Sequence, residues 1–425
     1  MFGVMGGEGR FGFHCRIIAL IFRVQRMPLA AAVAGALALA ACSFIPRESF
    51  TVADQSAAKV EGIPNLRFWL DGSRAELNEF LRGSPVASSN NGDFEVLAIS
   101  GGAYDGAYGA GVINGWTSTG TRPKFAIVTG VSAGALIAPL AFLGPAYDAA
   151  MGEAFSGGVA QVLGDLGGIF ALLGSSDLRR QSLIDLVDKF VDARLLASIA
   201  AEHARGRRLY VVTTNLDAQR GVVWDMGAIA ASRLPGSREL FRNVLVASAS
   251  IPGVFGPTFI DVVANGRHFR EMHVDGGATT QVFILPDIAF ESSSGIRPKI
   301  MPSHVWVLIN NHLTPQFEVV EAGLLPTVSR SFSTLIKNDA KDTLFATSAF
   351  IGRERFNLTF IDDGFNRWLA SNYGPDVKPG FNTPYMQALY RYGYEKARSG
   401  RLWTHDVPLP GAAAMKRFQQ AAQPR

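Results

Sequence analysis

Cysteine is nearly absent: Cys15 and Cys42 are the only two in 425 residues, too few for a disulfide scaffold. Histidine is scarce too, seven in all, and no Cys/His cluster or Asp-rich calcium loop appears. The chain is therefore expected to need no metal and no cofactor. Charged residues make up only 18%. The formal excess of +4 is concentrated at the start, where Arg10, Arg16, Arg23 and Arg26 outnumber Glu8. The remainder is near neutral and has no basic stripe interleaved with aromatics, which excludes nucleic acid as a partner. There is no internal repeat, no clean dinucleotide fingerprint and no Lys-Ser/Thr phosphate loop. An apolar fraction of 48% excludes a disordered chain, and the length allows one large α/β domain.

The apolar run from Met27 to Ala41 is shorter than the roughly 20 residues of a spanning helix and follows the basic stretch, the pattern of a signal peptide. It ends in Leu39-Ala40-Ala41-Cys42, which resembles a bacterial lipobox. That resemblance implies removal of residues 1–41 and acylation of Cys42. With Ser43 next, it implies sorting to the outer membrane of a Gram-negative envelope. Several acyl chains on one cysteine give stable anchoring.

Residues 42–93 read as an acylated tether with a helical stretch from about Asn65 to Arg82, closed by the polar segment 83–92. A catalytic core over 94–315 and a helical C-terminal extension over 316–425 follow. Apolar strands at Phe94–Ile99, Phe125–Thr129, Arg208–Thr214, Gly221–Asp225, Phe269–Val274, Val305–Asn310 and Phe356–Ile361 alternate with helical runs, the longer ones at 179–203, 236–248, 326–350 and 383–398. Such alternation predicts βαβ units, hence a mostly parallel central sheet with helices on both faces.

Three segments carry the chemistry. Gly130-Val131-Ser132-Ala133-Gly134 lies between an apolar strand and a helix, the strand–turn–helix setting in which a serine hydroxyl is exposed at a sharp elbow. Upstream, Ser100-Gly101-Gly102-Ala103-Tyr104-Asp105-Gly106 also follows a strand and precedes a helix. Its backbone N–H groups, at Gly101, Gly102 and Ala103, are candidates for an oxyanion hole. Downstream, His273-Val274-Asp275-Gly276-Gly277 delivers a carboxylate from a strand end into a glycine turn, and burial beside an apolar acyl pocket would make Asp275 a better base. The rival arrangement is a Ser132–Asp363–His405 triad, in the usual Ser, acid, His order, serving a small-ester or thioester hydrolase. His203, His268, His273, His304 and His312 are further candidate bases. A third alternative is a non-catalytic envelope lipoprotein that binds lipid.

Taken together and in order, the three segments resemble the patatin-like phospholipase family. Thr213–Asp217 and Ala247–Phe255 resemble stretches found between elbow and aspartate in that family. The resemblance covers about residues 94–290. It implies a serine carboxylic-ester hydrolase with a Ser132–Asp275 dyad and an acyl-enzyme, acting on membrane phospholipid or lysophospholipid. Three positions depart from the family's turn: Ser100 replaces an aspartate, Ala103 a glycine and Asp105 a basic residue, and the last disfavours an anionic headgroup. The Gly-rich apolar stretch 157–174 suggests a mobile lipid-facing cover, beside the alternative of a buried connection.

Overall fold

The computed structural model describes residues 47–86, 94–160, 176–287, 302–317, 319–320 and 322–408. The expected leader over residues 1–41, Cys42 and most of the expected cover at 157–174 lie outside them. In chain order the elements are α1 (Val52–Ala57), β1 (Arg67–Trp69), α2 (Arg74–Gly83), β2 (Glu95–Ile99), α3 (Gly106–Ser118), β3 (Ile127–Val131), α4 (Ala133–Leu143), α5 (Asp148–Glu153), α6 (Ser176–Asp188), α7 (Ala193–Ala204), β4 (Arg208–Asn215), β5 (Arg220–Asp225), α8 (Met226–Ser232), α9 (Ser237–Ser248), β6 (Thr258–Ala264), β7 (Arg267–Asp275), β8 (His304–Ile309), α10 (Leu324–Ile351), β9 (Phe356–Phe360), α11 (Gly364–Tyr373) and α12 (Thr383–Arg398).

The centre of the sheet is parallel, in the order β4-β3-β2-β8-β9. β2 shows why. It is buried along its whole length, Leu97 and Ile99 entering one apolar layer and Val96 and Ala98 the other, as befits a parallel strand covered on both faces. One layer is supplied by α3, α4, α7, α9 and α12, the other by α10 and α2. β5 and β1 extend the β4 side antiparallel. The fold is thus an α/β/α sandwich with a parallel centre and an antiparallel margin.

The differences from the sequence reading have simple causes. The stretch expected to be a tether contributes α1, β1 and α2, and residues from Phe50 onward form one compact unit. The helix expected over 65–82 starts only at Arg74, after the Ser73 capping box; Arg67–Trp69 instead pairs with Trp224–Val222 of β5. A short edge strand has too few residues for its alternation to show, and the pairing partner lies far along the chain. Likewise β6 was not anticipated, although Asn265-Gly266 between Ala264 and Arg267, both at positive φ, makes the two-residue hairpin turn with β7. The strand expected at Phe356–Ile361 is β9, which joins the sheet beside β8.

Candidate active site

β4 brings the site together through its pairing. β3 runs parallel to β4 and ends with Val131 opposite Val212. β7 runs antiparallel to β4 and ends with Asp275 opposite Thr213. Two strands approaching from opposite directions therefore stop at consecutive β4 residues, and the residue after β3, Ser132, faces the last residue of β7.

Ser132 Oγ donates to Asp275 Oδ2 at 2.6 Å. Both side chains are buried. The other carboxylate oxygen, Oδ1, accepts the Gly277 N–H at 2.7 Å. Burial pushes the Asp275 carboxyl up to about 7, with the Ser132 hydroxyl and the Gly277 N–H pulling it part of the way back. An acid poised there can accept a proton near neutrality.

Ser132 has φ +54° and ψ −124°, a conformation that L residues rarely adopt and that costs of order 1–3 kcal/mol. The surroundings hold it. Its N–H donates to Ser248 Oγ at 3.0 Å, and Ser248 Oγ donates to the Val212 carbonyl at 2.7 Å. Gly130 and Gly134 permit the sharp turn by close approach: a Cβ on Gly130 would lie 2.7 Å from Ala135 Cα, and one on Gly134 2.6 Å from the Ser100 carbonyl oxygen. Gly276 is likewise packed against the Val212 backbone.

The Ser100–Gly106 turn is locked to the end of β8. Asn310 N–H donates to Ser100 Oγ at 2.8 Å, and Asn310 Nδ2 donates to the Ser100 carbonyl at 2.9 Å. A Cβ on Gly102 would collide with the Asn310 backbone and lie 2.5 Å from Asn310 Cβ. Of the three expected oxyanion donors, one needs correction: Gly101 N–H donates to the Gln281 carbonyl at 3.1 Å and is already spent. The N–H groups of Gly102 and Ala103 make no hydrogen bond among the described residues. Ala103 lies at φ +51°, in the left-handed region that glycine adopts without strain.

Asp105 is less hostile to anions than its sequence position implies. Burial pushes it up to about 7, opposed by the Tyr385 hydroxyl, which donates to it at 3.2 Å, and by Lys337. Lys337, on α10, is itself pushed down to about 8 by burial. Lys337 acts on Asp105 electrostatically from a helix far along the chain, its Nζ donating to the Thr314 carbonyl at 3.1 Å.

The histidine arrangement is not formed. His405 Nδ1 bonds the carbonyl of Phe356, the first residue of β9, at 2.7 Å. β9 runs parallel to β3 through the sheet, so His405 sits at the edge opposite the elbow, roughly five residues of strand or ~16 Å away. Asp363 instead accepts from Thr314 Oγ1 at 2.7 Å. His273, two residues before Asp275, is fully buried with both ring nitrogens engaged, Nδ1 by Thr213 at 2.9 Å and Nε2 by Glu271 at 3.1 Å. Burial lowers its pKa, and Arg67, paired with Glu271, completes a network that stiffens β7 behind the carboxylate. His203 and His304 pair with Asp225 and Glu95, away from the elbow.

Fold and site together define a class: an α/β/α protein whose elbow serine is hydrogen-bonded directly to a buried carboxyl instead of to a histidine. Residues 97–287 match the family model described as patatin-like phospholipase. The match spans less than half of the chain and supports a lipid acyl hydrolase in general terms. Among solved structures it is similar to VipD from Legionella pneumophila, at 12% identity and a TM-score of 0.32, over 74% of this chain and 70% of that one. No curated protein matches it.

Ser248, Gln281 and Asn310 are residues of the site that sequence reasoning did not select. Only Asn310 carried a signal, its place at the end of the expected strand Val305–Asn310.

Proposed function

We propose that the protein is a membrane-anchored lipid acyl hydrolase of the phospholipase A or lysophospholipase type, cleaving carboxylic esters through a Ser132 acyl-enzyme. The observation that carries this reading is the 2.6 Å bond from Ser132 Oγ to a buried Asp275. Asp275 takes the hydroxyl proton as Ser132 attacks the ester carbonyl, and returns it to the leaving alcohol. A water activated by the same carboxylate then releases the fatty acid. A small apolar cavity of about 30 Å³ lies near the elbow and offers an apolar entry for an acyl group. Leu136, Pro139, Leu140, Phe155, Val159 and Leu186 line it beside α4. Phe155 links it to the elbow, because a Cβ on Gly106 would lie 3.2 Å from the Phe155 ring and 2.9 Å from Ala133 Cβ. Attachment through acylated Cys42 to a bacterial envelope membrane, most simply the outer one, would deliver this cavity to its substrate. Among the described residues no helix is long and apolar enough to cross a membrane.

The test is product analysis on mixed bacterial lipids with the parent, Ser132→Ala and Asp275→Asn. Free fatty acid is expected from the parent alone. Release by purified Ser132→Ala at the parental rate overturns the reading.

A further inference from the structure

One buried polar group at the site has no use in the chemistry above. Gln281 is 2% exposed, and its side-chain Nε2 has no hydrogen-bond partner among the described residues. A buried donor left so is rare, and it weakens the fold that contains it. The backbone of the same residue is held at both ends: its carbonyl accepts from Gly101 N–H at 3.1 Å, and its N–H donates to Asp339 Oδ2 at 2.9 Å. The side chain is held among the reacting groups. A Cβ built on Gly101 would lie 3.0 Å from Ser132 Cβ, 3.1 Å from Gln281 Oε1 and 3.2 Å from Gln281 Nε2. A Cβ built on Gly277 would lie 2.9 Å from Asp275 Oδ1 and 3.3 Å from Gln281 Oε1. The amide thus fills the gap between the two glycine turns, beside both nucleophile and base.

We infer that the Gln281 side-chain amide is an oxyanion donor, replacing in the hole the Gly101 N–H that its own main-chain carbonyl has taken. This rests on the Ser132–Asp275 reading. As Ser132 Oγ bonds the acyl carbon, its proton passes to Asp275 and the carbonyl π pair moves onto the oxygen. That oxygen meets Nε2–H together with the N–H groups of Gly102 and Ala103. Collapse of the adduct expels the alcohol, which takes the proton from Asp275. A donor unpaired at rest and paired only with the developing oxyanion lowers the barrier without tightening the ground state.

The test compares the parent, Gln281→Met and Gln281→Asn as full chains, by stopped-flow hydrolysis of a p-nitrophenyl fatty-acid ester and by thermal unfolding. Gln281→Met should acylate about 10²–10³-fold more slowly, with KM within a few-fold of the parent and Tm equal or higher. Gln281→Asn, which keeps an amide one methylene shorter, should recover at least about tenfold of that loss. Parental acylation by Gln281→Met overturns the inference. So does a loss equal in both variants and accompanied by a lower Tm, which marks a packing role, and so does an intact burst with slowed deacylation alone, which marks a water-holding role. Should Gln281→Met not fold, Gln281→Leu, which also removes the donor, takes its place and is read by the same outcomes. If Ser132→Ala hydrolyses the ester as fast as the parent, the Ser132–Asp275 reading fails; Ser132-dependent turnover indifferent to Gln281 fails this inference alone.

Discussion

Replacing Asp275 by Asn should stabilise the protein as it abolishes turnover, and the stabilisation should depend on pH in a fixed sense. The carboxyl titrates near 7 in the folded chain against an ordinary value of 3.8, because burial penalises its charge. At pH about 3 and below it is mostly neutral in both folded and unfolded states, and the two sequences differ only in local hydrogen bonding. Between about 4 and 7 the unfolded chain loses the proton while the folded one keeps it, so the parent loses stability at up to 1.36 kcal/mol per pH unit. Above 7 both states are ionised and the penalty levels off on the order of 4 kcal/mol, an upper bound because a folded chain relaxes around a buried charge. Asn carries no charge and escapes it. Thermal or urea unfolding of the two full chains in the same detergent, at pH 4, 6 and 8, should therefore show a gap that opens with pH in favour of Asp275→Asn. Asp105, also raised to about 7 by burial, is present in both and cancels in the difference. A gap that stays flat, or that closes with rising pH, refutes the buried-acid argument.

The same titration governs catalysis: kcat/KM on a soluble ester should climb about tenfold per unit at acidic pH and level off above about 7, where Asp275 is ionised and able to take the serine proton. A profile falling from pH 5 to 7 contradicts that role. Gly102→Ala puts a Cβ 2.5 Å from Asn310 Cβ and must displace the turn, so kcat should fall about 100-fold or more with the fold retained by circular dichroism. Ser248→Ala strands the Ser132 N–H and the Val212 carbonyl, and urea unfolding should show a loss of about 2 kcal/mol or more. His405→Gln, altered at the far edge of the sheet, should turn over ester within about twofold of the parent; a fall of orders of magnitude would revive the triad.

The local elements were legible in the chain because their signals are local. Glu95–Ile99 reads as an apolar run, the helix ending at Ser248 as an amphipathic one, and Gly130–Gly134 as a turn between strand and helix. β1 was not legible: it is short, and its partner β5 lies over 150 residues along the chain. Lys337 and Gln281 gave no sign either, since a lysine on a helix and a glutamine after a glycine turn are ordinary until the chain folds.

Order and chemical type were therefore set by sequence alone: a serine elbow, a glycine turn before it and an aspartate after it, each fixed by residues a few places apart. The tertiary structure alone decided which groups meet. Pairing along β4 put Asp275 against Ser132, the parallel direction of β9 carried His405 away, and Gln281 closed off the Gly101 donor while presenting its own amide. These outcomes depend on strand register and direction, which long-range burial selects and no window of neighbouring residues encodes.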